Sequence, residues 1–234
     1  AEQIICAVDL GINTDAVCSI MKADGTILAR KFIDFTSDKD RMIHAMNRTR
    51  RKQSKYGPKS ARNLWAYVKR LNEDRAKKIS AAIVEFASQH SVDAIVMEHL
   101  DFKGCKKRGS KAQRLSMWNH GIIREKAEQK AHLLGIRIAT ICAWKTSALA
   151  FDGSGSVTRD DNNHALATFT TGKQYNCDLS ASYNIGARYF IRELLKSLPA
   201  TEESRVKAKV PDAGRRTSCT LSTLRALVKE LSAA

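Results

Sequence analysis

Three acidic residues in this sequence each lie where an apolar segment ends or a helix begins. Asp9 follows the run 3–8, Glu98 follows 94–97, and Asp178 opens a long helical pattern. In an α/β sheet the ends of neighbouring strands share one crevice, and a helix that starts there adds its own side chain. Carboxylate oxygens are the ligands that Mg²⁺ or Mn²⁺ prefers, and two such ions about 4 Å apart can activate a water and stabilise the leaving oxygen of a phosphodiester. We therefore predict that Asp9, Glu98 and Asp178 are both the metal ligands and the catalytic residues of a two-metal site.

Each of these acids also has a plainer interpretation. Asp9 alone fits a turn, Glu98 alone fits a surface glutamate at a strand end, and Asp178 alone fits an acid that favours a helix N-terminus. Their order and the elements around them favour one common site. Three neighbouring carboxylates repel one another, so at least one pKa should rise unless cations compensate. Such a cluster is costly in a protein that has no metal role for it.

The elements that must position the acids follow the order β-β-β-α-β-α-β-insertion-α. Alternating and continuous apolar runs predict strands at 3–9, 15–22, 26–35, 94–97 and 136–143. Apolar residues at helical spacing predict helices at 60–90, 112–134 and 178–197. This is the order of the RNase H-like fold, an α/β fold with a mixed five-stranded sheet flanked by helices.

Composition favours a nucleic-acid partner. The chain has 234 residues and a formal charge of +16, from 40 Lys and Arg against 24 Asp and Glu, and such a charge attracts polyanions. No run reaches the roughly 18 apolar residues that a membrane span requires, and the N-terminus lacks the pattern of a secretion signal. We therefore expect a cytoplasmic protein with no membrane partner and predict nothing about its oligomeric state.

Two segments concentrate the positive charge. Residues 41–78 contain 13 Lys and Arg against two acids, and residues 103–114 contain six Lys and Arg and no acid. Both segments are expected to follow the phosphates of a nucleic-acid strand, although a solvated surface would have the same composition. The residues predicted to bind nucleic acid there are Arg50, Arg51, Lys52, Lys106, Lys107 and Arg108.

These patterns divide the chain into four parts. Residues 1–145 form the core and include a basic helical arm at 38–90, which Gly57-Pro58 splits into two helices. Residues 146–177 are polar and too long for an ordinary connection, so they are predicted to be an insertion. Residues 178–199 contain the final core helix, and 200–234 form a charged tail with a weak amphipathic helix. The six cysteines include no C-x-x-C pair and therefore predict neither a disulfide framework nor a zinc site.

Three segments that contain the acids match motifs of a known family. They are 7–13 (AVDLGIN), 95–100 (IVMEHL) and 178–185 (DLSASYNI). They resemble the three RuvC motifs of the OrfB/TnpB nucleases of insertion sequences, which are relatives of the type V CRISPR effectors. The resemblance implies a RuvC-like, RNase H-type nuclease domain that cleaves DNA with two Mg²⁺ or Mn²⁺ ions. Asn184 follows Asp178 by six residues, nearly two helical turns, and is expected from this spacing to share its helix face.

The sequence departs from this family in two respects. The family usually has a zinc ribbon between its second and third motifs, after a Thr-Ser pair like Thr146-Ser147, whereas 146–177 contains no C-x-x-C pair. Zinc is therefore not expected, and the insertion should be held by packing. The family's N-terminal part, which grips the guide RNA and the target duplex, would precede Ala1, so guide RNA is expected to bind the full-length parent, a prokaryotic protein. By the same resemblance, Arg159 is a candidate to reach the scissile phosphate.

Three alternatives remain. Actin-like ATPases also begin with D-x-G after a first strand, and Asp152-Gly153-Ser154-Gly155 superficially resembles their second phosphate loop. They require a much longer duplicated fold, and no predicted strand leads into Asp152. A Holliday-junction resolvase shares the RNase H-like order but not the third motif. A domesticated descendant that binds nucleic acid without cleaving it would fit the lost zinc cysteines but not the three intact acids.

Overall fold

A mixed five-stranded sheet forms the centre of the molecule. The computed structural model describes residues 3–100, 117–160, 163–215 and 217–233. The strands lie in the order β3-β2-β1-β4-β5, in which β1 to β3 are antiparallel and β4 and β5 run parallel to β1. This arrangement confirms the predicted α/β class and mixed five-stranded sheet. The strands are β1 (Ile4–Asp9), β2 (Ala16–Lys22), β3 (Ile27–Ile33), β4 (Ala94–His99) and β5 (Arg137–Cys142).

Helices are present at Arg62–Gln89 and Cys177–Ser197, close to the predicted 60–90 and 178–197, whereas the helix predicted at 112–134 is described only from His120 and the helix at Ala200–Lys209 was not predicted. Gly57, with φ of 87°, ends the first helix, and Pro58 opens a 3-10 turn before the second. No helix among the described residues is long and apolar enough to cross a membrane. The helices are α1 (Thr36–Tyr56), α2 (Arg62–Gln89), α3 (His120–Leu133), α4 (Cys177–Ser197), α5 (Ala200–Lys209) and α6 (Leu221–Ser232).

Both faces of the central strands are covered. The side chains of β1 alternate, so that Val8 packs with Ile83 of α2 on one face and Ala7 packs with Ile185 of α4 on the other. A strand that is buried on both sides needs apolar residues at every position. This is why β1 and β4 are continuously apolar until each reaches its acid.

A buried ion pair joins the helical arm to the sheet. The side chain of Asp15, which is fully inaccessible to solvent, accepts hydrogen bonds from Arg75 of α2 and from the backbone N–H of Phe35 at 2.9 Å. Lys39 of α1 lies 3.1 Å from the same carboxylate. Arg75 interrupts the apolar stripe of α2, and its pairing with Asp15 explains that interruption.

The amphipathic helix predicted near the end of the chain is present as α6, and it packs into the core. Leu221, Leu224 and Leu227 of α6 are buried in the same core as α4. Thr220 and Thr223 form a capping box at the helix N-terminus. Three leucines on one helix face suffice to bury a helix whose other face is charged.

The insertion contains a second, small sheet. Its strands are β6 (Thr158–Arg159), β7 (Leu166–Thr168) and β8 (Gln174–Asn176), paired antiparallel. Beneath them Ala150, Ala167, Phe169 and Cys177 form a buried cluster. The ring of Phe151 makes edge contacts with three other aromatic rings, those of Phe169, Tyr175 and Tyr183. Apolar and aromatic packing therefore holds this segment together.

Candidate active site

The alternation of side chains places Asp9 and Glu98 on one face of the sheet. Asp9 follows the alternation of Ile5 and Ala7 in β1, and Glu98 follows that of Ala94 and Val96 in β4; all four of these apolar residues pack on the α4 side. The two strands are parallel neighbours in which Val8 is paired with Met97. Asp9 and Glu98 therefore lie side by side at the carboxyl ends of adjacent strands.

Helix α4 brings the third acid to the same place. Asn176 caps the helix by accepting a hydrogen bond from the backbone N–H of Leu179 at 2.8 Å, which leaves Asp178 in the first turn. Farther along, Gly186 lies so close to β1 that a Cβ atom there would be 3.2 Å from the Cβ atom of Ala7. This close packing lays the helix along β1, with its N-terminus toward Asp9.

The charges of the three acids act on one another. Burial raises the pKa of Asp9 well above its usual range, and the neighbouring negative charges of Glu98 and Asp178 raise it further, against an opposing effect of Arg159. Burial also raises the pKa of Glu98 and that of Asp178. The structure thus brings together all three acids that were predicted from the sequence as site residues.

Two threonines hold the outer acids. Thr146 donates its hydroxyl hydrogen bond to Oε1 of Glu98, and a hydrogen bond from Thr14 lowers the pKa of Asp178 against the effect of burial. Within the described ranges, no three His, Cys, Asp or Glu side chains are arranged to hold a metal ion.

Asn184 does not face the acids. It is fully buried, and its amide donates hydrogen bonds to the backbone carbonyls of Thr146 at 3.0 Å and Leu149 at 2.9 Å. Its Oδ1 accepts from the N–H of Leu221 at 3.3 Å. The expectation that Asn184 shares a face with Asp178 is wrong, since six residues correspond to about one and two-thirds helical turns. Asn184 instead fixes the loop that holds Glu98.

Arg188, one turn later, fixes the same loop. Its buried guanidinium donates to the carbonyls of Cys142 at 2.9 Å and Trp144 at 2.8 Å, and to those of Thr217 at 3.1 Å and Cys219 at 3.2 Å. Burial lowers the pKa of Arg188. Arg188 therefore joins the end of β5 to the segment before α6.

Of the described residues predicted to bind nucleic acid, Arg159 is the one whose charge acts on Asp9 and Asp178. It is exposed on β6, donates to Oγ of Ser147 at 2.9 Å, and its positive charge lowers the pKa of both Asp9 and Asp178. Three other predicted residues lie on α1 and are exposed: Arg50, Arg51 and Lys52. The remaining three lie outside the described residues: Lys106, Lys107 and Arg108.

Sequence reasoning missed the residues that support the acids. Thr146 was noted only as part of a Thr-Ser pair, and neither Thr14 nor Arg188 was noted at all. A signal for Thr14 existed in Gly11, where a Cβ atom would lie 2.4 Å from the carbonyl oxygen of Thr14. The glycine of the D-x-G motif is thus needed for the tight turn that carries Thr14.

Comparison with known structures supports this fold. The chain superposes on the cryo-EM structure of a Cas12f1–sgRNA–target DNA complex with a TM-score of 0.58 and 20% identity, covering 78% of this chain and 49% of that one. It superposes on a CRISPR–Cas12f ternary complex with a TM-score of 0.54 and 17% identity, covering 78% and 38%. For C2c1 of Alicyclobacillus acidoterrestris bound to single-guide RNA, the TM-score is 0.56 and the identity 10%, covering 81% and 39%.

These likenesses concern the fold. The chain spans half or less of the length of each of these proteins. No protein-family model matches the sequence, and no curated protein matches it. The fold is therefore shared with a part of RNA-guided effector proteins at low sequence identity.

Proposed function

We propose that this chain is the RuvC-like nuclease part of an RNA-guided DNA endonuclease of the TnpB/OrfB type. The observation that carries the proposal is the convergence of Asp9, Glu98 and Asp178 from β1, β4 and α4, close enough for the other two charges to raise the pKa of Asp9. Keeping three carboxylates together in a buried place destabilises the protein unless cations offset their repulsion. A function that requires divalent cations accounts for the cluster.

The residues present fit Mg²⁺ or Mn²⁺. The three acids offer hard oxygen ligands, and Asp9, Glu98 and Asp178 would hold the ions. Two bound ions supply an activated water and stabilise the leaving oxygen of a phosphodiester. The protein's own residues orient the ligands: Thr146 holds Glu98 and Thr14 holds Asp178.

Positive residues complete the site in this proposal. Arg159, beside Asp9 and Asp178, offers its guanidinium to the scissile phosphate, for which its bidentate geometry is suited. Arg50, Arg51 and Lys52 on α1 bind the backbone of a nucleic-acid strand through charge. Such contacts carry no sequence information of their own.

The fold shared with Cas12f1 and C2c1, both seen in complexes with guide RNA, supports guide RNA as a partner of a longer protein that contains this chain. In such systems base pairing reads the target sequence, and the protein holds the duplex by its backbone. In the same proposal the protein acts in the prokaryotic cytoplasm. The small sheet at 158–176 then stands where the family has its zinc ribbon and needs no zinc.

Cleavage of single-stranded DNA in Mg²⁺ or Mn²⁺ tests the proposal, with the chain alone and with a guide-loaded longer protein. Asp9→Ala should abolish cleavage, whereas Asp74→Ala, which removes an exposed acid of α2, should not. Cleavage that survives Asp9→Ala or the addition of EDTA would show that the two-metal assignment is wrong. A descendant that only binds would retain DNA without cutting it, a resolvase would prefer four-way junctions, and an actin-like protein would bind ATP.

A further inference from the structure

An exposed tryptophan lies beside the candidate active site. Trp144 follows β5 by two residues, and 64% of its surface is exposed to solvent. Two residues later Thr146 bonds to Glu98. Because His99 and Cys142 are paired at the ends of β4 and β5, Trp144 leaves the sheet next to the strand end that carries Glu98. The indole is therefore accessible to a ligand at this edge of the candidate site.

The backbone that carries Trp144 is held rigidly. Lys145 has φ of 59°, a left-handed conformation that is rare for a residue other than glycine. Buried side chains of α4 hold both sides of it, because Arg188 donates to the carbonyl of Trp144 and Asn184 donates to that of Thr146. Strain that the surroundings maintain in this way is characteristic of functional positions.

The surface around Trp144 is basic. A cavity of about 1070 Å³ opens beside the indole, and its lining includes Arg192, Lys196 and Lys207. Glu203 is the one acid among the described lining residues, and it is already paired with Lys207. Arg192 and Lys196 are likewise paired, both with Glu193. Lys145, exposed at the rim, forms no ion pair with any residue in the described part of the chain. The indole beside the Lys145 ammonium suits a ligand that carries both a flat ring and negative charge.

We propose that Trp144 and Lys145 form a binding site for single-stranded nucleic acid, in which a base stacks on the indole and the adjoining phosphate contacts the Lys145 ammonium. The lysines and arginine of the cavity continue the path of the phosphate backbone. Base–aromatic stacking of this kind tolerates any base sequence. The inference rests on the proposed function for its setting, since the site would hold the substrate strand next to Glu98.

Binding of a short oligothymidylate to the full chain tests the site. Fluorescence anisotropy is measured in EDTA, so that cleavage plays no part. Trp144→Ala should weaken binding about 5- to 150-fold, the range that corresponds to about 1–3 kcal/mol of stacking, and Trp144→Phe should recover most of it. Phe32→Ala provides the control, because Phe32 is 51% exposed on β3, at the opposite edge of the sheet.

An abasic oligonucleotide of equal length separates stacking from charge. The unmodified chain should bind it more weakly than oligothymidylate, and Trp144→Ala should bind the two alike. Lys145→Gly, which keeps the left-handed backbone, should reduce the slope of log affinity against log salt by about 1. If Trp144→Ala still prefers the base-bearing strand, or binds both strands as tightly as before, the site is not a stacking site and its partner is of another class, such as a protein.

Failure of this inference can be told apart from failure of the proposed function. Metal-dependent cleavage that requires Asp9, together with unchanged base preference in Trp144→Ala, would refute the stacking site alone. Loss of base preference in Trp144→Ala in a protein that never cleaves would support the binding site and refute the nuclease.

Discussion

The hydroxyl of Thr146 donates a hydrogen bond to Oε1 of Glu98, which joins the loop after β5 to the acid at the end of β4. The carbonyl of the same threonine accepts from Asn184 of α4, the helix that begins with Asp178. One residue thus connects the supports of two acids. Groups that orient metal ligands in this way commonly change metal affinity by 10- to 100-fold when they are replaced.

Thr146→Val should therefore raise the Mg²⁺ concentration needed for half-maximal cleavage by about 10- to 100-fold. The variant keeps the shape of the side chain but removes the donor from a buried carboxylate. Thr146→Ser restores the hydroxyl and should restore the metal dependence. Measuring the cleavage rate against Mg²⁺ concentration checks this, and equal curves for Val and Ser would contradict it.

Asp9→Asn should abolish cleavage and yet stabilise the metal-free protein at neutral pH. Burial and two neighbouring negative charges raise the pKa of Asp9 in the folded state, so its ionised form destabilises the fold. The free energy of unfolding is expected to increase by about 0.5–2 kcal/mol. For a domain of this size, 1 kcal/mol corresponds to roughly 2–4 °C in melting temperature. Mg²⁺ should raise the melting temperature of the original protein but not that of the variant.

The pH dependence of this gain has a definite sign. A raised pKa means that the folded state holds the proton more tightly than the unfolded state, so stability falls as pH rises from the unfolded value through the folded one. Below about pH 4, the unfolded value for aspartate, both states are protonated. The difference between Asp9→Asn and the original protein should therefore vanish near pH 4 and grow toward neutrality, as measured by urea unfolding.

Asp15→Asn should destabilise the fold without removing a catalytic acid. Its fully inaccessible carboxylate is paired with Arg75 and Lys39, whose side chains are 12% and 16% exposed. Breaking a buried pair leaves cations uncompensated, at a cost of about 3–5 kcal/mol. Urea unfolding measures the loss, and the folded fraction should still bind Mg²⁺. Loss of metal binding in the folded variant would mean that Asp15 belongs to the site.

Gly11→Ala should disturb the turn after Asp9. The new Cβ would lie 2.4 Å from the carbonyl oxygen of Thr14, which is backbone and must move. We expect the free energy of unfolding to fall by about 1–3 kcal/mol. We also expect weaker Mg²⁺ binding, because Thr14 bonds to Asp178. Gly121→Ala, where a Cβ would meet nothing within 4 Å, is the matched control. Equal melting temperatures for the two variants would contradict this account.

The insertion should depend on its aromatic packing and not on zinc. Phe169 is 2% exposed, and Phe169→Ala should cost about 3–5 kcal/mol if the insertion unfolds together with the rest. Leu28→Ala, at an exposed position of β3, should have little effect. Dialysis against a zinc chelator in magnesium buffer should leave the melting temperature unchanged, and a fall would reveal a structural zinc ion.

Much of this molecule could be predicted from local patterns. The continuous apolar runs of β1 and β4 predicted the buried central strands, and each run ends at an acid of the candidate site. What could not be predicted depends on contacts between distant residues. Arg75 is an interruption in the sequence of α2, and only the fold reveals Asp15 as its partner. No apolar spacing in the sequence indicated that Trp144 would be exposed. The loop that carries it is held by Arg188 and Asn184, which lie more than 35 positions later in the chain.

The covering of the sheet by α6 has a consequence for synthesis of the protein. The side of the sheet that carries Ala7 and Met21 is covered by α4 and α6, and Arg225 of α6 donates to the carbonyl of Gly25 at 3.1 Å, 200 residues earlier in the chain. A ribosome releases the five strands well before these helices, so one apolar side of the sheet emerges bare and prone to aggregation. Nascent chains should therefore engage chaperones until α6 emerges, and the three acids should meet only after α4 has emerged.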